Sequence, residues 1–273
     1  MTRHFTFECT GETLVGSIDD AKGERGLLIV SGGNEIRAGA FGGMARLARD
    51  LAASGITVMR YDRRGIGDSS GENSGFEGSA DDISAALTAF RKQCPGLREI
   101  AAFGNCDAAS ALALFAGKAG FAALALANPW TIETPDNAEE GETAAMPASA
   151  IRSRYLAKLR DPRELWRLVT GGVNLRKLVK GLRQAAAKQE VSGLGERLMK
   201  ALSGQTVPVA ILIASRDRTA LAFLSIWDSA SGEAARTNGY IMLQQIHSAS
   251  HSFAGEDDHR WLVEQLIAVV HSC

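Results

Sequence analysis

The sequence predicts an α/β protein: a mostly parallel central sheet flanked by helices, with a helical cap inserted into the strand order. Three observations lead there. Short apolar runs end in turn residues, helical periodicities lie between them, and one long stretch carries no strand signal. Short apolar runs closed by turn residues suit strands buried on both faces. Strands that alternate with helices imply parallel pairing through right-handed crossovers.

The elements follow in order. Phe5, Phe7, Leu14 and Val15 surround Gly11, a pattern for an N-terminal hairpin. Runs 26–30 (GLLIV), 56–61 (ITVMRY), 99–103 (EIAAF), 121–127 (FAALALA), 207–214 (VPVAILIA) and 240–246 (YIMLQQI) read as strands. Residues 40–53 place Phe41, Met44, Leu47, Ala48 and Leu51 at helical spacing, and 79–93 and 107–117 read the same way. Residues 256–271 close the chain as an amphipathic helix with Trp261, Leu262, Leu266 and Val270. From 131 to 203 no strand is expected. Residues 151–190 are helical in pattern and hold eleven basic residues against Asp161, Glu164 and Glu190, a local charge of +8 in a chain of net charge −1. The expected division is a core of 1–130 and 204–273 and a helical cap of 131–203.

Composition narrows the function classes. The chain has 273 residues, 45% hydrophobic and 22% charged, as in an ordinary globular protein. Near-neutral charge argues against a dedicated nucleic-acid binder. Cys9, Cys94, Cys106 and Cys273 form no C-x-x-C pair and no zinc spacing, so no metal is expected. The glycines form no G-x-G-x-x-G, and no cofactor is expected. No signal peptide or apolar run long enough for a membrane span is visible, which gives a cytoplasmic expectation with reduced thiols.

The run Gly104-Asn105-Cys106-Asp107-Ala108 carries the chemistry. An apolar strand ends in it and a helix begins in it. This is the strand–turn–helix arrangement of the nucleophile elbow G-x-S-x-G, with Cys for Ser and Ala108 for the last Gly. Residues two positions from the nucleophile must be small for the turn to close. The start of the following helix favours thiolate at Cys106. A buried structural cysteine is the plain alternative. A literal G-x-S-x-G also occurs at Gly67-Asp68-Ser69-Ser70-Gly71, but no buried strand leads into Ser69, and it reads as a loop.

A base and an orienting acid must come from other strand ends. Asp217 follows run 207–214, and His251 follows run 240–246 in a Ser-rich loop. Cys106, Asp217, His251 is the chain order nucleophile, acid, base of α/β-hydrolases. Asp217 also suits a helix N-cap. Asp228 lies within a helical pattern, and His247 sits closer to its strand; both are weaker candidates. The oxyanion hole is expected from the backbone N–H groups of Asp107 and of Asn34, in the loop Ser31-Gly32-Gly33-Asn34.

The chain also resembles a known group. Asp62-Arg63-Arg64-Gly65-Ile66-Gly67-Asp68-Ser69 looks like the D-x-R-G-x-G-x-S loop of α/β-hydrolases. Gly32-Gly33 with Arg37-Ala38-Gly39, Gly104-Asn105-Cys106-Asp107-Ala108-Ala109-Ser110, Asn128-Pro129-Trp130, Asp217-Arg218-Thr219-Ala220 and Ser250-His251-Ser252-Phe253 resemble the type 1 hydrolases associated with the exosortase A system. The resemblance covers nearly the whole chain. It implies an α/β-hydrolase fold, a bacterial cytoplasmic hydrolase encoded among exopolysaccharide and protein-sorting genes, and a Cys-His-Asp site at Cys106, His251 and Asp217. That group has Gly-Gly-Pro in its first loop, where this chain has Gly32-Gly33-Asn34.

The expected activity is hydrolysis of an ester or, preferentially, a thioester through an acyl-enzyme on Cys106. Thiolate is a good leaving group and returns from attack on poorly activated acyl groups. An acyltransferase to a sugar or lipid hydroxyl and a non-catalytic binding module are the alternatives. The basic cap suggests an anionic partner such as acyl-CoA or an acyl carrier protein, against the plainer reading of a solvated helix face.

Overall fold

The computed structural model of the chain describes residues 2–132 and 193–272. β1 (Thr2–Cys9) and β2 (Glu12–Asp19) pair antiparallel with Cys9 opposite Glu12, so two residues make the turn. Both, Thr10 and Gly11, have positive φ (50° and 89°). That conformation matches the twist of the flanking strands, and Gly11 adopts it without steric cost.

β3 (Arg25–Val30), β4 (Thr57–Tyr61), β5 (Glu99–Asn105), β6 (Leu124–Ala127), β7 (Val209–Ala214) and β8 (Ile241–Ile246) complete an eight-stranded sheet of order β1-β2-β4-β3-β5-β6-β7-β8. Pairing is parallel from β4 through β8. The register aligns Val30 with Gly104, Asn105 with Ala127, Ala127 with Leu212 and Ala214 with Ile246. The loops after β3, β5, β7 and β8 therefore leave the same end of the sheet, where open α/β sheets place their sites.

Helices cover both faces. α1 (Gly43–Ala53) brings Leu47 and Leu51 onto Leu27, Ile29 and Phe103. On the other face lie α2 (Ala80–Gln93), α3 (Asp107–Phe115), α4 (Gly193–Ser203) and α5 (Arg218–Trp227). Phe90, Leu112, Leu198 and Phe223 pack there with Leu28, Leu124 and Ile211. α6 (Glu256–His271) returns to the first face through Leu262 and Leu266. Each such aliphatic side chain contributes about 1.5–3 kcal/mol by leaving water.

Three details differ from the sequence expectation. The helix predicted from residue 40 starts at Gly43, because Gly39 and Gly42 sit at φ 73° and 72°, outside helical space. Phe41 (φ 50°) is then fully exposed instead of lying on the buried face. β8 is an edge strand and only half-buried, not covered on both faces. Of the range 131–203, α4 belongs to the core layer through Leu198, Met199 and Leu202. The basic residues of 151–190 lie outside the described residues. Among the described residues no helix is long and apolar enough to cross a membrane.

Candidate active site

Between β5 and α3 stands a single residue, Cys106, at φ 62° and ψ −127°. A side chain held there costs of order 1–3 kcal/mol, and the surroundings must enforce it. Cys106 N–H donates to Ala127 O at 3.0 Å, and Cys106 O accepts from Trp130 N–H at 3.1 Å. Ser110 Oγ fixes that Trp130 segment through its carbonyl at 2.7 Å. A Cβ on Gly104 would stand 2.7 Å from the Ala108 carbonyl carbon and oxygen, so only glycine lets the helix start this close. The small-residue spacing read in the sequence thus has a steric cause. Cys106 is half-buried and lines a cavity of about 440 Å³ with the 30–35 loop, Met44, Leu47, His251, Phe253 and Leu262.

His251 is set by its loop. Ser248 Oγ donates to Asp258 at 2.6 Å and accepts Ser250 N–H at 3.0 Å. Phe253 (φ 52°) plugs into the core and stacks on Trp261, centroids 5.8 Å apart. The His251 carbonyl accepts from Asn105 Nδ2 and Asn128 Nδ2, each at 3.1 Å. Nδ1 of the ring lies 2.9 Å from Asp217 Oδ2, and His251 lines the same cavity as Cys106. Burial pulls the imidazolium pKa down, but the hydrogen bonds and charges of Asp217 and Cys106 outweigh it and push it up to about 10.

Asp217 makes two contacts through one oxygen. It is the N-cap of α5, its Oδ2 accepting Ala220 N–H at 3.1 Å, and the same oxygen meets His251. Burial raises its pKa, yet the His251 hydrogen bond and charge and the Ala220 and Arg218 amides bring it below its ordinary value.

Asn34 and Asp107 both flank this site. Asp107 opens α3, so its N–H is one of the unpaired amides of a helix start. Its carboxylate accepts Gly33 N–H at 2.6 Å. Asn34 lines the cavity beside Cys106, and its side chain accepts from Asn73 Nδ2 at 2.9 Å. The weaker candidates stand apart. His247 and Asp228 are exposed and do not line the cavity. Ser69 Oγ donates to Asp62 O at 2.7 Å and accepts Val15 N–H at 3.0 Å, a tie between loop and sheet. Asp62 is fully buried and accepts Arg37 N–H at 2.5 Å, the Arg37 guanidinium and Asp68 N–H at 3.0 Å. That loop therefore braces the 31–39 segment. Among the described residues no group of three His, Cys, Asp or Glu side chains could hold a metal ion.

Sequence reasoning assigned no role to Asn105 and Asn128. Asn128 is buried at φ 41°; its Oδ1 accepts Ala214 N–H at 2.9 Å and its Nδ2 also reaches Asn105 Oδ1 at 3.3 Å. It ties the ends of β5 and β7 to the His251 loop. The available signal was an amide side chain directly after an apolar strand. Asn128→Ala is expected to destabilise the fold by about 2–3 kcal/mol, since buried partners lose their bonds. Denaturant unfolding followed by circular dichroism measures it.

The fold order and the strand–turn–helix elbow define an α/β-hydrolase. Residues 24–237 match the serine aminopeptidase S33 family (Hydrolase_4), and the chain belongs to that family. Its elbow carries cysteine. No curated protein matches the sequence significantly. Among solved structures the chain is similar to the Pyrococcus furiosus esterase Pf2001, with 14% identity, 99% of this chain and 93% of that chain covered, and TM-score 0.66. It is similar to the proline iminopeptidase of Mycobacterium smegmatis, with 14% identity, 99% of each chain covered and TM-score 0.58. It is also similar to a thioesterase domain from the curacin biosynthetic pathway, with 14% identity, 99% of each chain covered and TM-score 0.55. At such identities these likenesses concern the fold.

Proposed function

We propose that the protein hydrolyses acyl esters, thioesters in preference, through a covalent acyl-enzyme on Cys106. The carrying observation is Cys106 at the strand–helix turn, lining one cavity with the His251 ring, whose Nδ1 lies 2.9 Å from Asp217 Oδ2. With its pKa pushed up to about 10, the His251 ring can hold the proton that the sulfur gives up as it attacks. The thiolate attacks the acyl carbon, and the N–H groups of Asn34 and Asp107 receive the oxyanion. His251 gives its proton to the departing thiolate or alkoxide. Water then attacks the acyl-Cys106 carbonyl and loses a proton to the neutral ring. The Cys106–acyl bond breaks, the carboxylic acid leaves, and the site returns to its starting state.

Met44, Leu47, Phe253 and Leu262 along the cavity suit an apolar acyl chain. The solved relatives named as esterase and thioesterase support acyl chemistry on this architecture. The resemblance to exosortase A-associated hydrolases supports a role linked to exopolysaccharide systems. The basic 151–190 segment supports an anionic carrier, acyl-CoA or an acyl carrier protein, as the thiol part.

A matched panel of aryl esters, small-thiol thioesters and acyl-CoAs of increasing chain length tests this. Thioesters are expected to exceed esters by about tenfold or more in kcat/KM, and the KM for acyl-CoA is expected to rise with ionic strength. No turnover of any member overturns the acyl-hydrolase assignment. A KM indifferent to salt overturns the anionic carrier.

A further inference from the structure

Given the acyl chemistry proposed above, we infer that Arg63 and the Asp107 carboxylate form a clamp that orients the oxyanion loop, with Arg63 as a positioning residue. The clamp grips one residue from both sides. Gly33 N–H donates to Asp107 Oδ1 at 2.6 Å, and Gly33 O accepts from Arg63 Nη2. The two clamping groups face each other, with Arg63 Nη2 3.7 Å from Asp107 Oδ2. Gly33 sits at φ 54°, and the loop is closed by Glu35 N–H on Gly32 O at 3.1 Å. A Cβ on Gly32 would stand 2.7 Å from both Asn105 O and Asp107 Oδ1, so the loop lies against the elbow.

Two consequences follow for the donor set. The Gly33 N–H is occupied by a carboxylate, so it does not serve substrate. The Gly33–Asn34 peptide is planar and trans, so with its oxygen turned to Arg63 the Asn34 N–H points the opposite way. Arg63 thereby selects Asn34 as the loop's donor. There is also a charge reason for an arginine. Asp107 contributes its backbone N–H to the oxyanion while its carboxylate sits in the same short stretch. An anion there opposes a second anion forming on the substrate unless a cation compensates it. The Arg63 side chain is 4% exposed, and among the described residues its Nε and Nη1 have no hydrogen-bond partner. A buried guanidinium held with incomplete hydrogen bonding is costly, so its position calls for a reason beyond packing.

The test compares two reactions at the same sulfur. Acylation builds an oxyanion, whereas alkylation by iodoacetamide is a displacement at carbon that builds none. Arg63→Gln and, separately, Asp107→Ala are expected to lower kcat about 10–100-fold with KM changed less than about threefold. The alkylation rate of Cys106 is expected to change clearly less than kcat does. Combining Arg63→Gln with Asp107→Asn, which keeps an oxygen for Gly33 and removes the unpaired charge, is expected to recover part of the lost kcat. If Arg63→Gln fails to fold, Arg63→Lys replaces it, expected to lose less than Asp107→Ala. Unchanged kcat in folded variants, an equal fall in alkylation, or no recovery in the double variant overturns the clamp. A wild type that turns over no acyl substrate overturns the acyl chemistry instead.

Discussion

Cys106→Ala is expected to abolish acyl hydrolysis, lowering kcat by about 10⁴-fold or more, with the fold intact. The size follows from the division of labour. In the proposed mechanism His251, Asp217 and the backbone donors all act on a bond to sulfur, so without sulfur they have nothing to assist. Alanine keeps the Cβ and the strained backbone of the turn, and the melting temperature should move little. Cys106→Ser separates nucleophile from pKa. It removes the sulfur whose interactions help raise the His251 pKa to about 10, so the ring pKa drops. The ring then acts as a base instead of resting as an acid. Residual activity in the serine variant is expected to rise with pH through the lowered His251 pKa. Wild-type turnover, which needs the ring's proton for the leaving group, is expected to hold through neutral pH and decline as pH passes about 10. Steady-state rates across pH measure both. Alanine activity above about one percent of wild type would remove Cys106 from the chemistry.

Asp217→Asn carries the second large effect, about 1,000-fold or more in kcat with the helix cap retained. Asparagine is as good an N-cap as aspartate, so the α5 start keeps its bond to Ala220 N–H. It cannot hold the imidazolium or fix its tautomer. Asp217→Ala should lose kcat and also about 1 kcal/mol of stability from the missing cap. The pair of substitutions thus separates the two jobs of one oxygen. The stability lost with the carboxylate depends on pH with a definite sign. The His251 pKa is raised in the fold, so its contribution is full below about 6.5 and is lost as pH rises toward about 10. The Asp217 pKa is lowered, so its contribution is present above about 3.8 and is lost as pH falls below that. The dyad should stabilise most between about pH 4 and 6.5. Melting curves of wild type and Asp217→Ala over pH 4–10 should converge toward the alkaline end.

Much of this was readable in the chain because strand runs, turn residues and steric demands are local. The elbow needs a glycine two residues before Cys106, and the contact of Gly104 with Ala108 is the reason. Asp217 and His251 were readable because parallel strands bring their ends to one edge. What was not readable depends on three-dimensional neighbours. The helical spacing of Phe41 gave no warning that Gly39 and Gly42 would turn it outward. The apolar run of β8 looked like a doubly covered strand because a sequence does not mark which strand ends the sheet. Asn105 and Asn128 meet on the His251 carbonyl although 23 residues apart, and the Arg63–Gly33–Asp107 contacts join two loops and the start of α3. Such contacts have no periodicity to betray them.

The most direct measurement is the mass of the intact enzyme, acid-quenched during turnover of a thioester, followed by peptide mapping of any adduct. The expected result is one acyl group added, located on Cys106 and lost on longer incubation. An acyl group on a serine, or steady turnover with no adduct at any time point and no burst of released thiol, would contradict a cysteine nucleophile.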